Sequence, residues 1–184
     1  MRKAAAALAV LALAAPGLAK EVAGVDFPQT VDVGGQQLRL NGAGIRSKLF
    51  VKVYAGGLYL AQPSGDEKAI VAADAPKRVR MVFLRDVDKG KIMETYKEGF
   101  ENNSAGPGLP ALLAKLAVLA PALADMKKGA EMSVTYVPGQ GTTVTATGGG
   151  SVTVEGKEFG DAMFRNWLGP NPADGSLKKD FLGK

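Results

Sequence analysis

The apolar residues of this chain fall into patterns of different period, and each pattern predicts a different element. Arg78–Leu84 alternates, with Val79, Met81 and Phe83 on one face. Glu131–Val137 does the same with Met132, Val134 and Tyr136. A period of two predicts strands with one buried face. Leu49–Leu60 is apolar on both faces, which predicts a central strand covered on both sides, and Gly56-Gly57 within it marks a bend or a close backbone approach. Ile92, Tyr96, Gly99 and Phe100 fall at helical spacing behind the capping residue Asp88, and predict a helix to about Asn103. Phe159, Met163 and Trp167 predict another over Lys157–Trp167. Ala111–Met126 reads as a strongly apolar helix kinked at Pro121, and Ser176 as the cap of a last short helix.

The remaining segments complete an order. Val22–Val33 predicts one or two short strands around Pro28. Gln37–Leu40 begins the next strand, which the run Asn41-Gly42-Ala43-Gly44 interrupts. Glu67–Ala73 predicts a short helix, and Thr142–Thr147 and Ser151–Val154 are strands joined through Gly148-Gly149-Gly150. No repeat or linker divides the chain. Strands and helices are segregated rather than alternating, so the expected class is α+β, a mostly antiparallel sheet with helices packed on one face. The single domain is expected over residues 20–184.

The N-terminus has a separate pattern. Arg2 and Lys3 precede Ala4–Ala15, an unbroken run of twelve apolar residues, and Gly17-Leu18-Ala19 follows with the small residues that a signal peptidase accepts. Residues 1–19 are read as a secretory signal, cleaved between Ala19 and Lys20, which places the mature chain in the periplasm or outside the cell. The run is too short to cross a bilayer, which takes about 20 apolar residues, and no later segment approaches that length.

Charge and composition narrow the chemistry. The formal charge is +5, and its basic clusters, Lys77-Arg78-Arg80, Lys127-Lys128 and Lys178-Lys179, are small. They read as solvated faces or helix ends, so no nucleic-acid track is expected. The chain has no cysteine and no histidine. Thiol chemistry, histidine bases and histidine or cysteine metal sites are excluded. No acidic group has calcium-loop spacing and no glycine run has the phosphate-loop arrangement. Neither a metal nor a cofactor is expected.

Three side chains remain as candidates for a ligand site. Arg46 lies at the end of Asn41-Gly-Ala-Gly-Ile-Arg46, where its guanidinium can reach between sheet and helices. A buried arginine needs an anionic or carbonyl partner. Either the protein supplies it, which makes Arg46 structural, or a ligand carboxylate or enolate does. Tyr54 shares a face with Arg46 if one unbulged strand holds both, and Tyr59 lies on the opposite face. Tyr96 can point toward the pair from its helix. Core packing is the alternative role for each tyrosine.

These residues sit in motifs that extend along the chain: Asn41-Gly-Ala-Gly-Ile-Arg46, then Leu49-Phe-Val-Lys-Val-Tyr-Ala-Gly-Gly-Leu-Tyr-Leu60, Phe83-Leu-Arg-Asp-Val87, Glu98-Gly-Phe-Glu-Asn-Asn103, Tyr136-Val-Pro-Gly-Gln-Gly-Thr142, Gly156-Lys-Glu-Phe159, Asn166-Trp-Leu-Gly-Pro-Asn-Pro172 and a Leu-Lys-Lys-Asp-Phe-Leu-Gly tail. In their order the chain resembles the chalcone isomerase-like superfamily, in its bacterial exported branch. The resemblance implies an open-faced β-sandwich with a ligand cleft between sheet and helices. It also implies that Arg46 stands where the plant isomerases hold a developing enolate. Their strand threonine falls on Tyr54, their helix tyrosine near Ile92, their asparagine near Gly99 and their late threonine or serine near Gly160. Each missing donor removes roughly 3–4 kcal/mol of transition-state stabilisation. Non-catalytic relatives use the same arginine with a tyrosine to hold a fatty-acid carboxylate. The expectation is therefore a non-catalytic binder of a small apolar carboxylate such as a fatty acid, with Arg46, Tyr54 and Tyr96 as ligand-binding residues and the helices Asp88–Asn103 and Ala111–Met126 walling the tail. An isomerase or lyase acting through an Arg46-held enolate is the alternative, and an envelope scaffold with a closed cleft the third reading.

Overall fold

A computed structural model of the protein describes residues 19–184; the signal segment expected before Ala19 lies outside the described residues. The chain opens with a small hairpin, β1 (Lys20–Val22) and β2 (Val25–Phe27). Seven strands then form one antiparallel sheet in chain order: β3 (Thr30–Val33), β4 (Gln36–Lys48), β5 (Val51–Leu60), β6 (Lys77–Phe83), β7 (Glu131–Val137), β8 (Gly141–Ala146) and β9 (Ser151–Val154). Helices occupy its connections and its end. α1 (Glu67–Ala72) lies between β5 and β6, α2 (Lys89–Asn103) and α3 (Leu109–Ala117) between β6 and β7, and α4 (Lys157–Leu168) and α5 (Gly175–Phe181) follow β9. This is the expected α+β class. The larger core joins Leu58, Val79, Met81, Phe83, Met132, Val134 and Tyr136 of the sheet to Phe100, Phe159, Met163 and Phe164 of the helices. A smaller core on the opposite face joins Phe27 of the hairpin to Leu38, Ala55 and Tyr59. β5 is thus covered on both sides, with Tyr54 and Tyr59 in different cores.

The run Asn41–Gly44 does not break regular structure. It lies inside β4, where Asn41 is an extra residue between the pairs Leu40–Tyr59 and Gly42–Leu58. The bulged Asn41 donates from Nδ2 to the carbonyls of Ser64 (2.8 Å) and Phe181 (2.7 Å) and accepts from the Ser64 amide at 2.8 Å. Gly42 and Gly44 are needed because α5 lies directly on the strand. A Cβ on Gly42 would stand 2.0 Å from the Asp180 carbonyl oxygen, and one on Gly44 would meet the Asp180 carboxylate at the same distance. Gly57 likewise admits the Phe27 ring, 2.5 Å from where a Cβ would be.

Other expectations are corrected. Leu49 and Phe50 do not begin β5. They form a two-residue turn between Lys48 and Val51, with φ of 49° and 65°. Both are exposed, and the left-handed backbone costs about 1–2 kcal/mol at each. The Ala111–Met126 helix ends at Ala117, and Pro121 sits in a single 3₁₀ turn, Ala120–Ala122, because a proline has no amide to continue the ladder. The cap of α5 is Asp174, not Ser176; its side chain accepts from the amides of Ser176 and Leu177.

Lys77 is not on a solvated face. It is 2% exposed, and its ammonium donates to the carbonyls of Ile70 (2.8 Å), Val71 (3.0 Å) and Ala73 (2.8 Å), closing the C-terminal end of α1. It also lies 5.3 Å from the Tyr136 ring centre and 5.5 Å from that of Phe164.

Two predictions follow from these contacts. Gly42→Ala drives a methyl into backbone that cannot rotate away, and is expected to cost at least about 2 kcal/mol in urea unfolding. The second concerns pH. Burial lowers the Lys77 ammonium from 10.5 to about 8, so the unfolded chain holds this proton to higher pH than the folded one. Stability from this group therefore rises between about pH 8 and pH 10.5. Urea midpoints across that range are expected to show the rise in wild type and to lose it in Lys77→Met.

Candidate functional site

The two strands that carry Arg46 and Tyr54 are partners in a hairpin, not one continuous strand. Arg46 of β4 pairs directly with Tyr54 of β5, because Val53 is left over between the pairs Arg46–Tyr54 and Ser47–Lys52. Paired residues of adjacent strands point to the same face. Both therefore face the helices, and the guanidinium carbon lies 5.8 Å from the Tyr54 ring centre.

A cavity of about 500 Å³ opens at this place. Val53, Met81, Phe83, Met132 and Ile92 give it apolar walls, from three strands and α2. Arg46, Tyr54, Tyr96, Asn166 and Trp167 line it with polar groups. The three side chains singled out from sequence thus share one cavity. Trp167 and Asn166, which open the motif Asn166–Pro172 but were not among the expected site residues, belong to it as well. The sequence shows Trp167 in the apolar stripe of α4 and in that motif, and neither signal places it at the cavity. Its indole N–H donates to the Tyr54 hydroxyl at 2.8 Å, and its ring meets Tyr96 edge-on with centres 6.1 Å apart. No residue of 111–126 lines the cavity, so the second wall expected there is supplied by the sheet and α4 instead.

The polar groups are incompletely satisfied. Arg46 forms no ion pair and no hydrogen bond among the described residues, and its Nε is buried without a partner. Asp174, which accepts from the neighbouring Ser47 amide through Oδ2, is otherwise committed through Oδ1 to the first turn of α5. The Tyr96 hydroxyl and the Asn166 Oδ1 are likewise buried without partners. Tyr54 accepts from Trp167 and keeps its own proton to donate. Burial raises the Tyr54 phenol above its ordinary range, against the pull of Arg46 and of the Trp167 hydrogen bond. Burial raises Tyr96 strongly as well. Both hydroxyls stay protonated at neutral pH, so the cavity presents donors and one fixed positive charge.

The mouth is also basic. Lys48, Arg85 and Lys91 line it together with Asp86 and Asp88. The acids are engaged: Asp86 binds Lys127 at 2.9 Å, and Asp88 caps α2. Lys91 pairs with Glu94, which leaves Lys48 and Arg85 without an ion pair among the described residues. No group of three or more acidic residues among the described ones is placed to hold a metal, and no helix among them is long and apolar enough to cross a membrane.

The model of chalcone isomerase-like proteins matches residues 19–183. The chain belongs to the chalcone isomerase-like family. Its fold is similar to the crystal structure of an Arabidopsis thaliana fatty-acid binding protein, with a TM-score of 0.63 at 18% identity over 86% of this chain and 92% of that one. No curated protein matches the chain. The resemblance places the isomerases' further polar groups near Ile92, Gly99 and Gly160. A Cβ on Gly99 would stand 1.7 Å from the Asn166 Oδ1, and one on Gly160 would meet the Tyr136 ring at 2.8 Å. Neighbouring side chains occupy the space that a larger residue at either glycine would need.

An unpartnered buried hydroxyl costs about 1–3 kcal/mol. Tyr96→Phe is therefore expected to leave the ligand-free protein as stable as wild type or about 1 kcal/mol more so. Trp167→Phe, which strips the Tyr54 hydroxyl of its partner, is expected to cost about 1 kcal/mol. Thermal melts of the delipidated proteins check both.

Proposed function

We propose that this protein is an exported, non-catalytic carrier of a small apolar carboxylate, a fatty acid being the simplest case. The carboxylate would sit against Arg46 and take hydrogen bonds from Tyr54 and Tyr96, with its tail along the apolar wall from Val53 to Met132. The observation that carries this reading is the Arg46 guanidinium, set beside apolar walls and paired with no carboxylate among the described residues. A monoanion with an apolar tail answers both features at once. Because the two phenols are held protonated by burial, they favour an acceptor-only group such as a carboxylate. The similar Arabidopsis structure is that of a fatty-acid binding protein, which points the same way. Export, into the periplasm of a bacterium, rests on the apolar run Ala4–Ala15 and its flanks. An enolate-holding enzyme would use the same arginine, but Ile92, Gly99 and Gly160 offer none of the further donors such chemistry draws on.

Native mass spectrometry of the purified protein is expected to show a bound carboxylate that delipidation removes, and palmitate is expected to restore it. Arg46→Gln removes hydrogen bonds to a charged partner and is expected to weaken palmitate binding about 10- to 100-fold, with the melting temperature unchanged. Absence of any captured carboxylate, together with equal palmitate binding by both proteins, would overturn the proposal.

A further inference from the structure

We propose that the tip of the β4–β5 hairpin is a membrane-docking element that seats the mouth of the cavity on an anionic lipid bilayer. The turn holds Leu49, 85% exposed, and Phe50, fully exposed, and it is followed by Val51, 43% exposed. A two-residue turn with positive φ at both positions is the type I′ hairpin, which favours Asn-Gly. Here it carries two large apolar side chains. The fold gains little from them, since Phe50 buries no surface against the rest of the molecule and Leu49 very little.

The tip is flanked by Lys48 and Lys52, both exposed and neither in an ion pair among the described residues. Lys48, Leu49 and Val51 also line the cavity, beside Arg85. Apolar residues at a point, with cations at the positions on either side, match the layering of a bilayer surface. The side chains reach the acyl boundary while the lysines remain among anionic head groups. A second copy of the chain fits poorly. A stable dimer buries about 800 Å² on each partner, far more than a two-residue convex tip offers. A two-fold contact there would also set Lys48 and Lys52 against their own copies. Docking rests on the hairpin alone; passage of a carboxylate between bilayer and cavity rests in addition on the binding reading above.

Flotation of the full mature chain with vesicles tests this, using phosphatidylglycerol and phosphatidylcholine in equal parts against pure phosphatidylcholine. Wild type is expected to float with the anionic vesicles and to be released by salt. Leu49→Ser/Phe50→Ser is expected to lower that binding at least about tenfold. Lys48→Gln/Lys52→Gln is expected to lower it about fivefold per lysine, on the anionic vesicles only. Phe50→Trp is expected to shift its emission to the blue on vesicle addition, over a buried Trp167 that does not respond. Arg46→Gln is expected to float as wild type does, so loss of palmitate binding and loss of docking are read separately. Equal flotation of wild type and the Leu49/Phe50 variant would overturn the proposal. So would a concentration-dependent dimer that only that variant loses, which would assign the tip to a second copy of the chain.

Discussion

Side chains along a strand alternate with a period of two, so one extra residue moves everything after it to the other face. Asn41 is such a residue in β4. Before it, Leu38 packs into the small core with the N-terminal hairpin. After it, Gly42, Gly44 and Arg46 share the face that the helices cover, with Ala43 left on the small-core side. Without the bulge, Arg46 would point away from the cavity. The bulge is held from three sides, by the Ser64 amide and the carbonyls of Ser64 and Phe181, all bound to one side chain. The placement of the arginine is therefore fixed by groups remote from the cavity, and the cavity does not have to pay for it.

With its position imposed in this way, the guanidinium stays where no carboxylate among the described residues pairs with it. Two of the carboxylates near it, Asp174 and Asp88, are already engaged. Asp174 holds the first turn of α5 and the Ser47 amide, and Asp88 holds the first turn of α2. Diverting either to Arg46 would open a helix end. The tyrosines are bound by the same logic. Tyr54 is anchored by Trp167 as an acceptor and so is directed to donate, and Tyr96, on the buried stripe of α2, has no acceptor among the described residues. The unsatisfied groups cluster because the structural demands on their neighbours were met first.

The sequence disclosed the elements whose period was clean. β6, β7, α2 and α4 appear within a residue of the spans their alternation or helical spacing predicts. It failed where tertiary contact sets the meaning of a residue. Glycines 42 and 44 looked like breakers because nothing local shows that α5 lies against them. Lys77 looked solvated because its acceptors belong to another element. Leu49 and Phe50 continued an apolar run, and composition alone does not distinguish an apolar strand end from an apolar turn. At the site, Arg46, Tyr54 and Tyr96 could be named from position and family motif. Asn166 and Trp167 lie in a family motif too, but their share in the cavity depends on how α4 lies across the sheet, which the motif does not show.

The hairpin links two demands that would conflict in a shorter ribbon. A two-residue turn at Leu49-Phe50 pairs Lys48 with Val51 and Ser47 with Lys52, and an unbroken ladder from that end would set Arg46 opposite Val53. The ladder from the other end, phased by Asn41, sets Arg46 opposite Tyr54. Val53 absorbs the difference of one residue as a second bulge. The strained turn and the paired arginine are thus separated by a joint in the ladder, and each is over-determined from its own side. A side chain can change at the tip without shifting the register of Arg46. The hairpin can then expose apolar residues at one end and hold a charge in a fixed place at the other.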